Sequence, residues 1–151
     1  MPKRSAGILL YKRVAGELQV LLAHPGGPFW QRLDRGAWTI PKGEMDDDEK
    51  PEDAARREFH EELGVEALGT LQLLGEIVQK GGKHVVAFAL EGDFDTTRLR
   101  SNTFEIEWPP RSGHLQSFPE IDQAQWMTLA LAREKILPSQ ISLLETLADN
   151  E

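Results

Sequence analysis

Gly43–Val65 reads GEMDDDEKPEDAARREFHEELGV, and its second half carries every local mark of a helix. Pro51 suits a first helical position, Glu52 and Asp53 suit the positive N-terminal end, and Gly64 suits a left-handed stop. At about 3.6 residues per turn, Glu58, Glu61 and Glu62 fall on one face. Ala55, Phe59 and Leu63 form a neighbouring apolar stripe that would anchor the helix to a core. The three carboxylates are therefore aimed at one place. His60 falls on the other side of the helix.

Gathering like charges is unfavourable unless something offsets them. A pair about 4 Å apart costs roughly 1 kcal/mol in water and about 4 kcal/mol at the effective dielectric of a protein surface. Either one carboxyl stays protonated or divalent cations bind. A carboxylate-only set suits hard ions, Mg²⁺ first and Mn²⁺ or Ca²⁺ next. The plain alternative is an amphipathic helix with a solvated acidic face. The run Asp46-Asp47-Asp48-Glu49 does not make an EF-hand, which alternates its ligands around a central glycine that Met45–Lys50 lacks.

The wider spacing narrows the choice. Gly43, Glu49, Arg57-Glu58, apolar Phe59, Glu61-Glu62, Gly64 and apolar Val65 stand at the intervals of the Nudix box. At every defined position the stretch resembles that of a Nudix hydrolase. The resemblance implies cleavage of a phosphoanhydride in a nucleoside diphosphate linked to another group, by water attack at phosphorus with Mg²⁺ as cofactor and Mn²⁺ as a substitute. It further implies that Glu61 and Glu62 ligate metal, and that Glu58 is a ligand or the base for the water. The carbonyl of Lys42 would complete part of the shell. Glu49 and Arg57 would pair to hold the loop against the helix, and Gly43 and Gly64 would be structural. The family adds an acidic residue from a later loop, as ligand or general base. Glu120 in FPEIDQAQW is preferred here, with Glu105 and Glu107 in FEIEW as rivals.

Composition agrees with one domain over 1–151: the chain has 151 residues, no cysteine, no basic-then-apolar leader and no apolar run of membrane-spanning length. Zero cysteines exclude disulfides and zinc–thiolate sites, and a cytoplasmic location is the default expectation. The net charge of −8 is unevenly spread. Residues 1–42 hold seven Lys/Arg against two Asp/Glu, whereas 43–65 hold three against ten. That division suits a small nucleotide or polyphosphate held through metal on one side and lysine or arginine on the other. It does not suit an extended nucleic-acid surface.

The chain reads as mixed α and β. Strands are expected at Ser5–Tyr11, Leu18–His24, Ala37–Ile40, Thr70–Val78, His84–Leu90 and Gln123–Thr128. Residues 92–118 read as an irregular insertion with one short strand at Thr103–Trp108. Helices would follow at Leu129–Ile136 and, with Ser139 as a cap, at Ile141–Ala148. Alternation of this kind implies an α/β fold with helices on both faces of a sheet. The resemblance sharpens this to an α/β/α sandwich around a mixed β-sheet, with homodimers frequent in the family.

Substrate is less legible. Pro41-Lys42-Gly43 and Arg4-Ser5-Ala6-Gly7 resemble Nudix members acting on dinucleoside polyphosphates or inositol pyrophosphates, where Lys42 and Arg4 would meet phosphate. The tyrosine usual after the box in diadenosine-tetraphosphate enzymes is replaced by the neighbourhood of Lys80, Gly81, Gly82 and Lys83. The loops His24–Trp38 and Glu107–Phe118 resemble those of a bacterial subgroup of predicted nucleotide pyrophosphohydrolases. They would wall the pocket, with Trp30, Phe29 or Trp108 stacking on a base and Arg32, Arg35 or Arg111 meeting phosphate. Trp126 is expected in the core, and the four histidines read as structural. The expected activity is hydrolysis of a dinucleoside polyphosphate or nucleoside triphosphate. An RNA 5′-pyrophosphohydrolase and a Nudix domain that senses a nucleotide without cutting it are the alternatives.

Overall fold

A computed structural model describes residues 4–151. Strands β1 (Arg4–Val14), β2 (Glu17–Pro25), β3 (Lys42–Glu44), β4 (Gln72–Val78), β5 (His84–Glu91) and β8 (Ile121–Thr128) form one sheet in the order β4-β5-β1-β2-β8, with β3 against β1. β1 and β5 run parallel and the other pairs antiparallel. Both central strands are apolar along most of their length, as strands covered on two faces must be.

One face packs on α1 (Pro51–Leu63): Ala6, Ile8, Leu10, Val86 and Phe88 meet Ala55, Phe59 and Leu63. The other face packs on α2 (Leu129–Lys135) and α3 (Ile141–Asn150), where Leu9, Val20, Leu22, Val85 and Ala87 meet Ile136, Leu143, Leu144 and Leu147. The result is an α/β/α sandwich with a mixed sheet. Strand alternation explains it, since successive β1 side chains serve opposite cores.

The feature that positions the site is a split along β1. Its far end, Tyr11–Val14, pairs with β2, while Ser5–Gly7 pairs with β3. The near end of the sheet therefore opens beside Lys42 and Gly43, where α1 lies against β3.

α1 begins at Pro51 with Glu52 and Asp53 in its first turn, and stops at Gly64, whose φ is 87° and whose amide donates to the His60 carbonyl at 2.8 Å. An added Cβ at Gly64 would crowd Arg100 as well as strain the left-handed backbone. Gly64→Ala is expected to cost about 1–2 kcal/mol, read as a lower urea midpoint at unchanged m-value. An unchanged midpoint would show that the helix end tolerates the side chain.

Three expectations are corrected. Ala37–Ile40 forms only isolated bridges, Ala23 to Thr39 and Trp38 to Ile136; the chain then turns at Pro41, and the pairing with β1 starts at Lys42. Residues 92–118 hold a two-stranded hairpin that runs on to Pro119, with β6 (Thr103–Glu107) against β7 (Leu115–Pro119) and Phe104 opposite Phe118. The prolines and glycine of its turn concealed the second strand. Ser139 does not cap α3; it lies in a 3₁₀ turn, Pro138–Gln140, and Gln140 precedes the helix with no side-chain cap bond. Trp126 sits at the rim of the core, its indole N–H donating to the Phe94 carbonyl at 2.9 Å and its ring 4.1 Å below the Lys12 ammonium.

Candidate active site

The box loop is fastened to α1 by one arginine. Arg57 grips Glu49 through Nε and Nη2 at 2.8 Å each, and Nη2 also donates to the Glu44 carbonyl at 2.9 Å. Its Nη1 donates to Glu58 at 2.9 Å and to Glu61 at 3.1 Å. Every N–H of the guanidinium fork is thereby engaged, a geometry lysine cannot reproduce. The Arg57 pairing holds the Glu49 carboxyl near pKa 2. Gly43 passes directly over Glu58, so a side chain there would collide with that carboxylate.

Glu58, Glu61, Glu62, Lys42, Lys83 and Glu120 line one cleft of about 470 Å³. It lies where the split sheet, the carboxylate face of α1 and the start of β8 converge. Glu62 accepts the Lys42 amide at 3.3 Å. Burial drives its pKa up to about 8, reinforced by Glu58 and Glu120 and opposed by Lys42. Burial likewise raises Glu58 against the pull of Arg57, and burial together with Lys83 lowers Lys42. Glu62 thus holds a proton at a pH where ordinary carboxyls are ionised.

This donor set is all oxygen and carries excess negative charge, which fits a hard divalent cation. Among the described residues no three acidic or histidine side chains yet converge as a finished cage, and Arg57 occupies oxygens of both Glu58 and Glu61. The residues fit the ion in number and kind.

A pH dependence follows from Glu62. Its carboxyl titrates near 4.5 unfolded and near 8 folded, so between those values the folded chain binds the extra proton and stability falls as pH rises. In metal-free buffer the wild type is expected to lose stability from pH 5 to 8 relative to Glu62→Gln, followed by urea unfolding. A constant difference between the two across that window would show that Glu62 titrates normally.

Adjoining the acidic cleft is a recess of about 550 Å³, lined by Trp30, Gln79, Lys80 and Leu137 and sharing Lys42, Glu62 and Glu120 with it. The structure thus brings Lys42, Trp30 and Glu120 together with the box carboxylates. Glu120 is held by its backbone, its amide donating to the Asn102 carbonyl at 2.8 Å and its carbonyl accepting the Gly26 amide at 2.9 Å.

Other expected site residues lie elsewhere. Arg4 is exposed and pairs with Glu76 at 3.1 Å, and Arg35 is exposed and pairs with Glu134 at 3.6 Å; neither lines the cleft. Glu105 and Glu107 lie on the hairpin and line neither the cleft nor the recess, and Glu107 accepts the Arg111 amide at 2.7 Å. Phe29 packs edge-on to Trp108 at 5.5 Å outside the cleft. His24 is buried between Asp122 at 2.8 Å and the Leu33 carbonyl at 2.7 Å, a structural post.

Lys83, Asn102, Thr103 and Gln79 were missed as cleft residues. A signal existed for Lys83. Two lysines flank Gly81-Gly82 in a hairpin turn, and the parallel register of β5 on β1 carries that turn to the end where Lys42 lies.

A NUDIX domain model matches residues 1–147, and the chain belongs to the Nudix family. It is a hydrolase acting on acid anhydrides, of the kind found in nucleotide pyrophosphates. An RNA pyrophosphohydrolase of Bartonella henselae is 26% identical over 146 residues, covering 84% of this chain and 76% of the relative. A second, of Rhizobium meliloti, is 28% identical over 110 residues, covering 67% of this chain and 64% of that protein. The chain therefore spans less than two thirds of the latter's length. Among solved structures, a C. elegans Ap4A hydrolase superposes with a TM-score of 0.66 at 23% identity, covering 98% of this chain and 96% of that one. Members of the family generally use divalent metal ions. No helix of the described residues is long and apolar enough to cross a membrane.

Proposed function

We propose that the chain, acting as one domain, hydrolyses a phosphoanhydride in a small nucleotide, a dinucleoside polyphosphate or a nucleoside triphosphate, with Mg²⁺. The observation that carries this reading is the meeting of Glu58, Glu61, Glu62 and Glu120 with Lys42, Lys83 and a partly apolar recess in adjoining clefts that share Lys42, Glu62 and Glu120. Glu58, Glu61, Glu62, Glu120 and the Lys42 carbonyl would hold the metal, which neutralises phosphate charge and lowers the pKa of water. Glu58 or Glu120 would take the proton from the attacking water. The Lys42 and Lys83 ammonium groups would meet phosphate oxygens, and Trp30 would stack on a base. Glu49 and Arg57 hold the loop that carries Lys42 and Gly43 against α1.

RNA 5′-end pyrophosphate hydrolysis is the second reading, supported by the activity for which the two sequence relatives are named. The overall charge of −8 favours a small anion over a long nucleic acid. Retention of Glu58, Glu61 and Glu62 favours catalysis over sensing. The test is a Mg²⁺ assay over dinucleoside polyphosphates, nucleoside triphosphates, nucleotide sugars and 5′-triphosphate RNA. Turnover is expected on the first two classes. Preference for the RNA would select the second reading, and binding without turnover on any class would select a sensor.

A further inference from the structure

Two residues that line the recess beside the acidic cleft, Thr39 and Gln79, are hydrogen-bonded to a buried amide whose orientation is forced. Gln140 is fully buried at 0% exposure, so no water can substitute for its partners. The Ile40 amide can only donate, and it points at one end of the Gln140 side chain at 3.0 Å; that end must be Oε1. Nε2 of Gln140 is therefore the other end, and it donates to Thr39 Oγ1 at 2.8 Å and to Gln79 at 2.9 Å. Thr39 is consistent with this, because its hydroxyl donates onward to the Ile40 carbonyl at 2.9 Å and leaves a lone pair for Gln140. The Gln79 atom facing Gln140 must accept, so it is Oε1. The backbone of Gln79 is pinned as well, donating to Lys83 at 2.7 Å and accepting from Gly82 at 2.9 Å in the hairpin turn.

The consequence reaches the recess. Gln79 Oε1 is turned inward, while Nε2 donates to nothing among the described residues and Gln79 lines the recess that also holds Trp30. A free glutamine offers a donor and an acceptor, which matches the N6 and N7 edge of adenine. In this one Oε1 is already engaged by Gln140, and the group left without a partner among the described residues is Nε2 with its two N–H donors. Two donors match guanine, whose N7 and O6 both accept, whereas the N6 amino group of adenine would set N–H against N–H.

We infer that Gln79 is a specificity-determining residue that reads the N7/O6 edge of a guanine base in the Trp30 recess, with Gln140 as the positioning residue that locks its amide. The inference rests on the proposal that the cleft takes a nucleotide. It assigns which base.

The test is calorimetric binding of the α,β-methylene diphosphates of guanosine and adenosine in Mg²⁺, to the wild type, Gln79→Leu and Gln79→Glu. The wild type is expected to prefer the guanosine compound by about tenfold or more. Gln79→Leu should bind both alike. Gln79→Glu keeps an acceptor for Gln140 but turns an acceptor outward, and should shift the preference towards adenosine. If Gln79 only tied the hairpin to α3, its replacement would weaken both ligands together and leave their ratio unchanged. Equal affinities in the wild type, failure of the wild type to bind either compound, or a guanosine preference that survives in Gln79→Leu would overturn the inference. Guanosine preference in a chain that cleaves no anhydride would count against the proposed hydrolysis alone. Cleavage without base preference would count against Gln79 alone.

Discussion

Glu58→Gln and Glu62→Gln are each expected to lower Mg²⁺-dependent hydrolysis by on the order of 10²-fold or more, with the fold retained. The two substitutions remove a charge and keep the shape. Glu62 lines the cleft and, among the described residues, accepts only the Lys42 amide at 3.3 Å, a bond that a glutamine carbonyl can also accept. Its ionised form is opposed by burial and by Glu58 and Glu120, so a neutral amide resembles the protonated carboxyl that the metal-free chain holds and lacks the repulsion of the ionised one. Lost activity in a protein at least as stable as the wild type is a pattern that misfolding cannot produce. Glu58 differs in one respect. It accepts from Arg57 at 2.9 Å, and a glutamine there keeps one acceptor oxygen for that bond. Both variants should retain their circular dichroism and urea midpoints; full activity in both would remove the metal-ligating and base roles from α1.

Glu120→Gln is the second large expectation, a loss of roughly tenfold to a hundredfold in kcat/KM, while Glu105→Gln and Glu107→Gln leave it unchanged. Glu120 lines the same cleft as the box carboxylates and adds to the repulsion that raises Glu62. Its backbone is hydrogen-bonded on both sides, to Asn102 and Gly26, so the loop that delivers it is held in place. Glu105 and Glu107 belong to a two-stranded hairpin paired only with itself. The opposite ranking, with Glu107→Gln inactive and Glu120→Gln active, would transfer the extra carboxylate to the hairpin.

The helix and its carboxylate face were legible in the sequence because their causes are local. Pro51, Gly64 and the stripe Ala55, Phe59, Leu63 act within a few residues of one another, and α1 spans Pro51–Leu63 accordingly. The sandwich followed from alternation of elements. What sequence could not supply was long-range register. Pairing of Ser5–Gly7 with β3 instead of β2 opens the sheet beside Lys42, and no local pattern announces it. The same limit misplaced Arg4 and Arg35. Each is basic in a basic third of the chain, but each pairs on the surface with a glutamate from a distant segment, Glu76 and Glu134, and neither lines the cleft. Gln79 and Gln140 lie 61 residues apart, and neither carries a charge or motif; only their hydrogen bond makes them notable.

The most direct test of the central claim is the rate of anhydride cleavage against Mg²⁺ concentration, on a nucleoside triphosphate and a dinucleoside polyphosphate, for the wild type and Glu62→Gln. A saturable Mg²⁺ requirement in the wild type, abolished by chelator and lost by about 10²-fold in the variant, is the expected result. Cleavage that persists without divalent metal, or that Glu62→Gln leaves intact, would contradict the assignment of this cleft as the catalytic centre.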